Sequence, residues 1–358
     1  MTDAIGGYFG MEELSGNFNS FIHEDGVLLN LGRNAFRYIL LSLPDEVENL
    51  YIPYYTCPVV WEHLFFSGKV YFYRIDINLE MAEDIELGEH DYIVVNNYFG
   101  IKDLYVAQLS KKYGNHLIID NAQAFFAPVL PDIYAFYSPR KFFGVPDGGV
   151  AYVANHANKV RCEEQDDSSD RLRHLQLRRE KGAEVGFATY QQNEGKLDKL
   201  PMKLMSDYTH EVLRGIDYAE AIKKRRTNYK MLHEVLGDLN ALPLPLMDSF
   251  ACPMVYPFMP KDGNTNLRKQ LQEQRIYTAT YWPNLAEMNH GTLEEHLAQT
   301  LIPLPIDQRY GETEMQEMIN AVCELTANEQ TLASLRAFAG GGGGKNPTLK
   351  NRRCQDII

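Results

Sequence analysis

Two side chains define the chemistry open to this sequence: Asp120, at the end of the apolar run LIID, and Lys141, in the polar turn before GGVAYV. Short apolar runs of this kind suit buried parallel strands better than helices. In open α/β sheets the carboxyl ends of such strands face the ligand crevice. A carboxylate and an amine leaving separate strand ends can therefore meet in one pocket. An amine in an apolar pocket loses its proton more easily and can condense with an aldehyde as a Schiff base. A carboxylate opposite a pyridine nitrogen keeps that nitrogen protonated and makes the ring an electron sink. Together these are the two anchors of pyridoxal phosphate, PLP. Alone, Asp120 reads as a loop cap and Lys141 as a solvated lysine. The flanking strands and the Gly148-Gly149 pair favour the joint reading.

The run Asp120-Asn121-Ala122-Gln123-Ala124 resembles the D-x-A-Q-A signature of the DegT/DnrJ/EryC1/StrS aminotransferases, PLP-dependent sugar aminotransferases of fold type I. Lys141 followed by Asp147-Gly148-Gly149 is similar to that family's K…GEGG spacing, with Asp where Glu is usual. The resemblance implies that Asp120 pairs with the pyridine nitrogen, Gln123 lies near the ring and Lys141 carries the cofactor. It implies phosphate contacts from Ser138 and from Gly32, Arg33 and Asn34, which stand where the family has a G-T-A segment. A helix N-terminus with free N–H groups suits a phosphate, and Arg33 would add a charge-assisted bond. Without the resemblance the same residues are an ordinary helix start.

In the family, a P-x-Y-T-aromatic segment lays a ring against the cofactor. Here Cys57 holds the aligned position, and Tyr55 is the aromatic assigned to stacking, with core packing its equal rival. Asn97, ending the run DYIVVNN, is expected beside the substrate. Tyr281, Trp282 and Arg309 are candidate substrate contacts, with two core aromatics and a surface arginine the favoured reading. Two features depart from the pattern. Phe136-Tyr137-Ser138-Pro139-Arg140 replaces the usual residues before the lysine, and the H-x-x-G-x-N-x-R loop that reaches a neighbouring subunit's phosphate has no counterpart.

The elements that must position these residues alternate strand and helix, which predicts an α/β fold with a large, doubly wound, mostly parallel sheet. GRNAFRYILLSL has helical spacing of Phe36, Ile39, Leu40 and Leu43, and DLYVAQLSKKYG reads as an amphipathic helix ending on Gly114. The polar segment between KVYFYRIDIN and DYIVVNN is expected to be helical, and YTATYWP to be a strand. The organisation expected is an N-terminal arm over 1–27, a PLP-binding domain over 28–235, a small C-terminal α+β domain over 236–330 and a disordered tail over 331–358. Residues 203–235 carry a long helical pattern, within which GIDYAEAIKKRRTNYKMLHEVL resembles the family's long helix joining the two domains.

A chain of 358 residues with 45% hydrophobic and 23% charged residues is ordinary for a globular protein with a substantial core. The net charge of -13 argues against general nucleic-acid binding. No run suggests a membrane span or secretory signal. The 5 cysteines are scattered without metal-ligand spacing, which predicts no metal and reduced thiols in a cytoplasm. No G-x-G-x-x-G, Walker A or H-E-x-x-H pattern occurs. The resemblance implies a cytoplasmic homodimer that transfers an amino group from an amino acid, commonly glutamate, to a keto-sugar, nucleotide-linked in many such enzymes. A PLP sugar dehydratase is the first alternative, disfavoured by the lysine. A desulfurase would need a mobile cysteine in a Gly-rich loop. The third alternative, a non-catalytic homologue with a sugar-binding or structural role, stays open because of the two departures.

Overall fold

The chain begins with two short strands, β1 (Ile5–Gly6) and β2 (Val27–Leu29), and helix α1 (Gly32–Ser42). Then come β3 (Asn49–Pro53), β4 (Lys69–Tyr73), β5 (Asp91–Asn96), α2 (Asp103–Tyr113), β6 (Leu117–Asn121), β7 (Tyr134–Tyr137) and β8 (Gly149–Tyr152). The structure, a computed structural model, describes residues 3–12, 20–43, 47–61, 68–158, 160–198, 200–285 and 291–326. One sheet of 7 strands runs in the order β2-β8-β7-β6-β5-β3-β4. It is parallel from β7 across to β4, and β8 is antiparallel to both its neighbours. This is the mostly parallel α/β sheet that the sequence predicts.

Every residue of β5 and of β6 is buried, which is why both read as near-continuous apolar runs rather than alternating ones. Alternation still decides direction. Ile93, Val95, Leu117, Ile119, Ala135 and Tyr137 enter one core cluster. Val94, Ile118 and Phe136 enter the other, where Ala35, Phe36 and Ile39 of α1 cover them. Burying side chains of this size stabilises by roughly 1.5–3 kcal/mol each. Helix α2 ends as expected at Gly114, which takes φ 54°, a conformation that favours glycine.

The second half supplies α3 (Arg173–Lys181), α4 (Phe187–Leu197), α5 (Asp207–Arg214) and α6 (Tyr218–Leu236). It continues with β9 (Val255–Phe258), α7 (Leu267–Glu273), β10 (Ile276–Tyr277), a helix over Leu293–Thr300, β11 (Ile302–Pro305) and a last described helix over Glu312–Thr326. β9 and β11 pair antiparallel, while β10 pairs in parallel with β1. The first residues of the chain thus join a strand from its last quarter.

Several element expectations are corrected. The segment between β4 and β5 is irregular: Asp76 Oδ1 accepts from the N–H groups of Asn78 (2.9 Å) and Glu80 (3.0 Å), a local turn that competes with helix. The helical pattern over 203–235 is two helices. α6 starts anew at Asp217, whose carboxylate accepts from Glu220 N–H at 2.9 Å. Of the expected strand YTATYWP only Tyr277, the last residue of β10, is extended and paired. Cys57, Cys162 and Cys252 are free thiols, whereas Cys323 is disulfide-bonded, against the expectation of reduced thiols throughout. The expected tail over 331–358 lies outside the described residues.

Candidate active site

Strand register brings Asn96, Asp120 and Phe136 side by side on adjacent strands. Phe136 packs in the cluster that α1 covers, so Asp120 leaves the sheet on the α1 side. Its carboxyl is 8% exposed, and Oδ1 accepts from Ala122 N–H at 2.8 Å. Burial raises its pKa, and the Lys141 charge and the Ala122 amide pull it back. Lys141 leaves the same end of the sheet, since β7 runs parallel to β6 and ends with Tyr137 beside Asn121. Lys141 sits on the single turn Pro139–Lys141 that directly follows β7. It is half-buried, and its amine has no hydrogen-bond or ion-pair partner among the described residues. The Cys57 thiol joins the group: burial raises its pKa, Lys141 and Arg33 lower it, and Asp120 raises it.

The N-terminus of α1 packs on the lysine turn. A Cβ on Gly32 would stand 3.3 Å from Ser138 Cβ and 3.5 Å from its hydroxyl. No side chain caps the first turn of α1. The Gly-Gly pair explains the approach: Gly148 has φ +128°, and a Cβ on Gly149 would overlap the Leu31 carbonyl and lie 2.7 Å from Gly32 N. Only a bare Cα admits the helix start this close. The neighbouring Asp147 is fully buried and accepts from Ser206 N–H at 2.8 Å, Ser206 Oγ at 2.6 Å and the Thr209 hydroxyl. It anchors the start of α5 to the lysine loop.

The other expected site residues fall into two groups. Gln123 is 5% exposed; Oε1 accepts from Phe99 N–H at 3.1 Å, and Nε2 is buried without a partner among the described residues. A buried orphan donor is costly and marks a place for an acceptor. Arg33 stands at the helix start and pairs with Asp198 at 3.0 Å. Asn34, by contrast, turns away: its amide donates to Asn30 Oδ1 (2.8 Å) and Pro201 O (3.0 Å), fastening the 200–201 segment. Tyr55 is fully buried, donates to the Tyr281 carbonyl at 3.1 Å and meets Trp282 edge-on at 4.8 Å. The side chain of its segment that feels Lys141 and Asp120 is Cys57.

Asn97 is 1% exposed and holds a network away from Asp120's face: Nδ2 donates to Asp103 (2.7 Å) and Asn121 (3.0 Å), and Oδ1 accepts from Lys102 N–H (3.0 Å). The residue beside Asp120 is Asn96, whose Nδ2 donates to Thr56 Oγ1 at 2.9 Å and whose Oδ1 has no partner among the described residues. β5 ends at Asn96, and a shift of one residue along a strand reverses the face. Two adjacent asparagines were the available signal; the strand end decides between them.

Lys141 and Ser138 lie on the wall of a cavity of about 780 Å³. Its opposite walls are Gly6–Phe9, the α3–α4 pair and the stretch Tyr277–Tyr281. Tyr8 stacks on Tyr190 at 4.7 Å and donates to Ala183 O at 2.9 Å. Arg309 is not a surface arginine: it pairs with Asp307 at 2.7 Å and covers the Phe9 ring at 4.2 Å. Tyr281 lines the cavity, and Trp282 packs in the core.

The sequence matches no protein-family model and no curated protein. Among solved structures, the sugar aminotransferase CalS13 from Micromonospora echinospora is similar with a TM-score of 0.57 at 16% identity, covering 83% of this chain and 86% of that one. A DegT DnrJ EryC1 StrS aminotransferase from Brucella abortus gives 0.56 at 15% identity, covering 84% and 86%. NtdA from Bacillus subtilis, solved with bound cofactor PMP, gives 0.56 at 12% identity, covering 84% and 73%. At these identities the likeness is one of fold, and it is the fold that the sequence motifs imply.

Proposed function

We propose that this protein is a PLP-dependent aminotransferase that moves an amino group from an amino acid, glutamate the first choice, to a keto-sugar. The observation that carries this reading is the unpartnered Lys141 amine coupled to the buried Asp120 carboxyl, next to the open first turn of α1. The residues present fit the cofactor: a glycine-built cradle for a phosphate, a buried carboxyl for a ring nitrogen and an orphan donor on Gln123. CalS13 is a sugar aminotransferase and NtdA holds PMP, which supports both the acceptor class and the cofactor. A nucleotide-linked acceptor follows the motif resemblance, as do a role in cell-surface polysaccharide or secondary-metabolite sugar synthesis, a homodimer and a cytoplasmic site. The division into domains over 28–235 and 236–330 is part of the same proposal.

When bound, PLP supplies an electron sink for bond changes at the carbon that bears the amine. The chain's residues do the rest. Lys141 Nζ would hold the cofactor, and as a free amine it would move the proton at the donor's α-carbon. Asp120 would keep the ring nitrogen protonated, since its own burial makes a facing cation favourable. The amides opening α1, with Ser138, would bind the phosphate, and Gln123 Nε2 would offer a donor to the ring.

The test is a visible absorption spectrum of the protein with added PLP, beside Lys141→Ala, before and after glutamate. We expect a band in the parent protein that the variant lacks and that glutamate bleaches. A band untouched by glutamate would move the proposal to another donor or reaction. Absence of any band would leave the fold without this chemistry.

A further inference from the structure

Five permanently or readily cationic side chains line the cavity beside Lys141, counting Lys141 itself, and their partners differ. Arg140 pairs with Glu194, and Arg309 with Asp307. Arg225 is fully buried, but all of its guanidinium nitrogens donate: to Gln308 Oε1 (2.9 Å), Met254 O (2.9 Å) and Phe142 O (3.3 Å). Arg268 is the exception besides Lys141. It rises from α7 and donates from Nη2 to Leu301 O at 2.6 Å. Its Nε is buried without a partner, and among the described residues it has neither a carboxylate nor a bond from Nη1. Burial lowers its pKa, as expected for a cation removed from water without a counter-ion. Thr278, which lines the same cavity, carries a second unsatisfied atom, its hydroxyl oxygen.

A half-buried guanidinium with one carbonyl bond and a buried, unpartnered Nε keeps donors free for an acceptor. Its rigid fork matches an oxyanion, and a planar carboxylate or a phosphate takes two of its N–H groups at once. We propose that Arg268, assisted by the Thr278 hydroxyl, is the anion-binding end of the cavity, holding an oxyanion of a substrate whose reacting end lies at Lys141. The inference rests on the aminotransferase reading for the word substrate but not for the anion. The oxyanion is the donor's carboxylate or the phosphate of a nucleotide-linked acceptor. Arg268 is separate from the α1 cradle, since α7 and the stretch after β10 build one and α1 with the lysine turn the other. The one existing bond, to the carbonyl that follows the helix Leu293–Thr300, gives Arg268 a capping role as well. A cap alone leaves the Nε and Thr278 orphans unexplained.

The experiment uses full-length protein without PLP, in a Trp61→Phe background, so that Trp282 is the reporter. Trp282 packs on Tyr55 and directly follows Tyr281, which lines the cavity with Arg268. Sodium glutamate, sodium succinate and inorganic phosphate are titrated separately. Saturable quenching by at least one is expected, and Arg268→Gln should weaken it by about tenfold or more, the usual effect of a charge-assisted bond. Arg268→Lys keeps charge and cap and should fall between, and Thr278→Val should weaken binding with no loss of melting temperature. Tight binding of glutamate and succinate assigns the carboxylate, and preference for phosphate assigns the acceptor. Equal affinities in parent and Arg268→Gln, or no saturation with any anion, overturn the proposal. A saturable site in a protein that never shows a PLP band would keep the anion end and sink the aminotransferase reading instead.

Discussion

Asp120 is a costly residue for a fold to keep. Its carboxyl is buried, receives one backbone hydrogen bond and has its pKa raised by desolvation despite the nearby lysine. A carboxyl whose folded pKa lies above the unfolded value near 4 loses stability as pH rises through that interval and stays at the lower level above it. In the cofactor-free protein at neutral pH, Asp120→Asn removes that cost. We therefore expect the variant without PLP to melt higher than the parent, by about 2 °C for each kcal/mol relieved, while losing the visible band with PLP. A lower melting temperature would mean that the Asp120–Lys141 attraction outweighs the burial cost. Both of these residues were legible in the sequence because a strand end and a motif named them. It is Asn96, not Asn97, that shares Asp120's face, and telling the two apart needs the strand's register, since period-two alternation leaves no tolerance for an error of one. Cys57 was legible as an aligned position but not as a group coupled to Lys141, because that coupling depends on the turn after β3.

At the scale of elements, the site depends on how closely α1 approaches the lysine loop, and Gly149 sets that distance. A Cβ there meets the Leu31 carbonyl and Gly32 N, both backbone atoms that no rotamer change can move aside. Gly149→Ala should cost about 1–3 kcal/mol, as overpacking does, and should weaken PLP binding because the cradle opens. Gly195→Ala is the control: a Cβ at Gly195, within α4, meets nothing within 4 Å, so the change should be neutral or stabilising by up to about 1 kcal/mol. Melting curves and PLP titrations of the two variants check this; similar behaviour would remove the close-approach argument. The strands and α2 were readable from apolar runs and a terminal glycine. The connection between β4 and β5 was not, since its polar residues suit a solvated helix and an Asp-centred turn equally, and the hydrogen bonds of Asp76 decide.

At the scale of the whole molecule, the chain's start is tied to both halves, β1 to β10 and the segment before β2 to the main sheet. The sequence showed only aromatics without a period there, because pairing with a strand far along the chain leaves no local trace. His23 is the tie to the sheet. It is 2% exposed, with Nε2 at 2.7 Å from Phe125 O and Nδ1 at 3.1 Å from the Tyr152 hydroxyl. A carbonyl can only accept, so Nε2 donates, and the neutral ring then accepts at Nδ1 from the tyrosine. A second proton would break that bond in a site with no counter-charge, and burial accordingly lowers the pKa to about 4. The unfolded chain takes up its proton near pH 6.5 and the folded one only near 4, so this contribution is complete above 6.5 and is lost as pH falls towards 4. The loss is at most about 3 kcal/mol. His174, also lowered to about 4 by burial and then by Arg140, adds in the same direction. Melting temperature measured from pH 7.5 down to 4 should therefore fall less steeply in His23→Gln, which offers the same donor and acceptor without a titration. Parallel curves for parent and variant across that window would show that His23 is not what joins the chain's start to its sheet in acid.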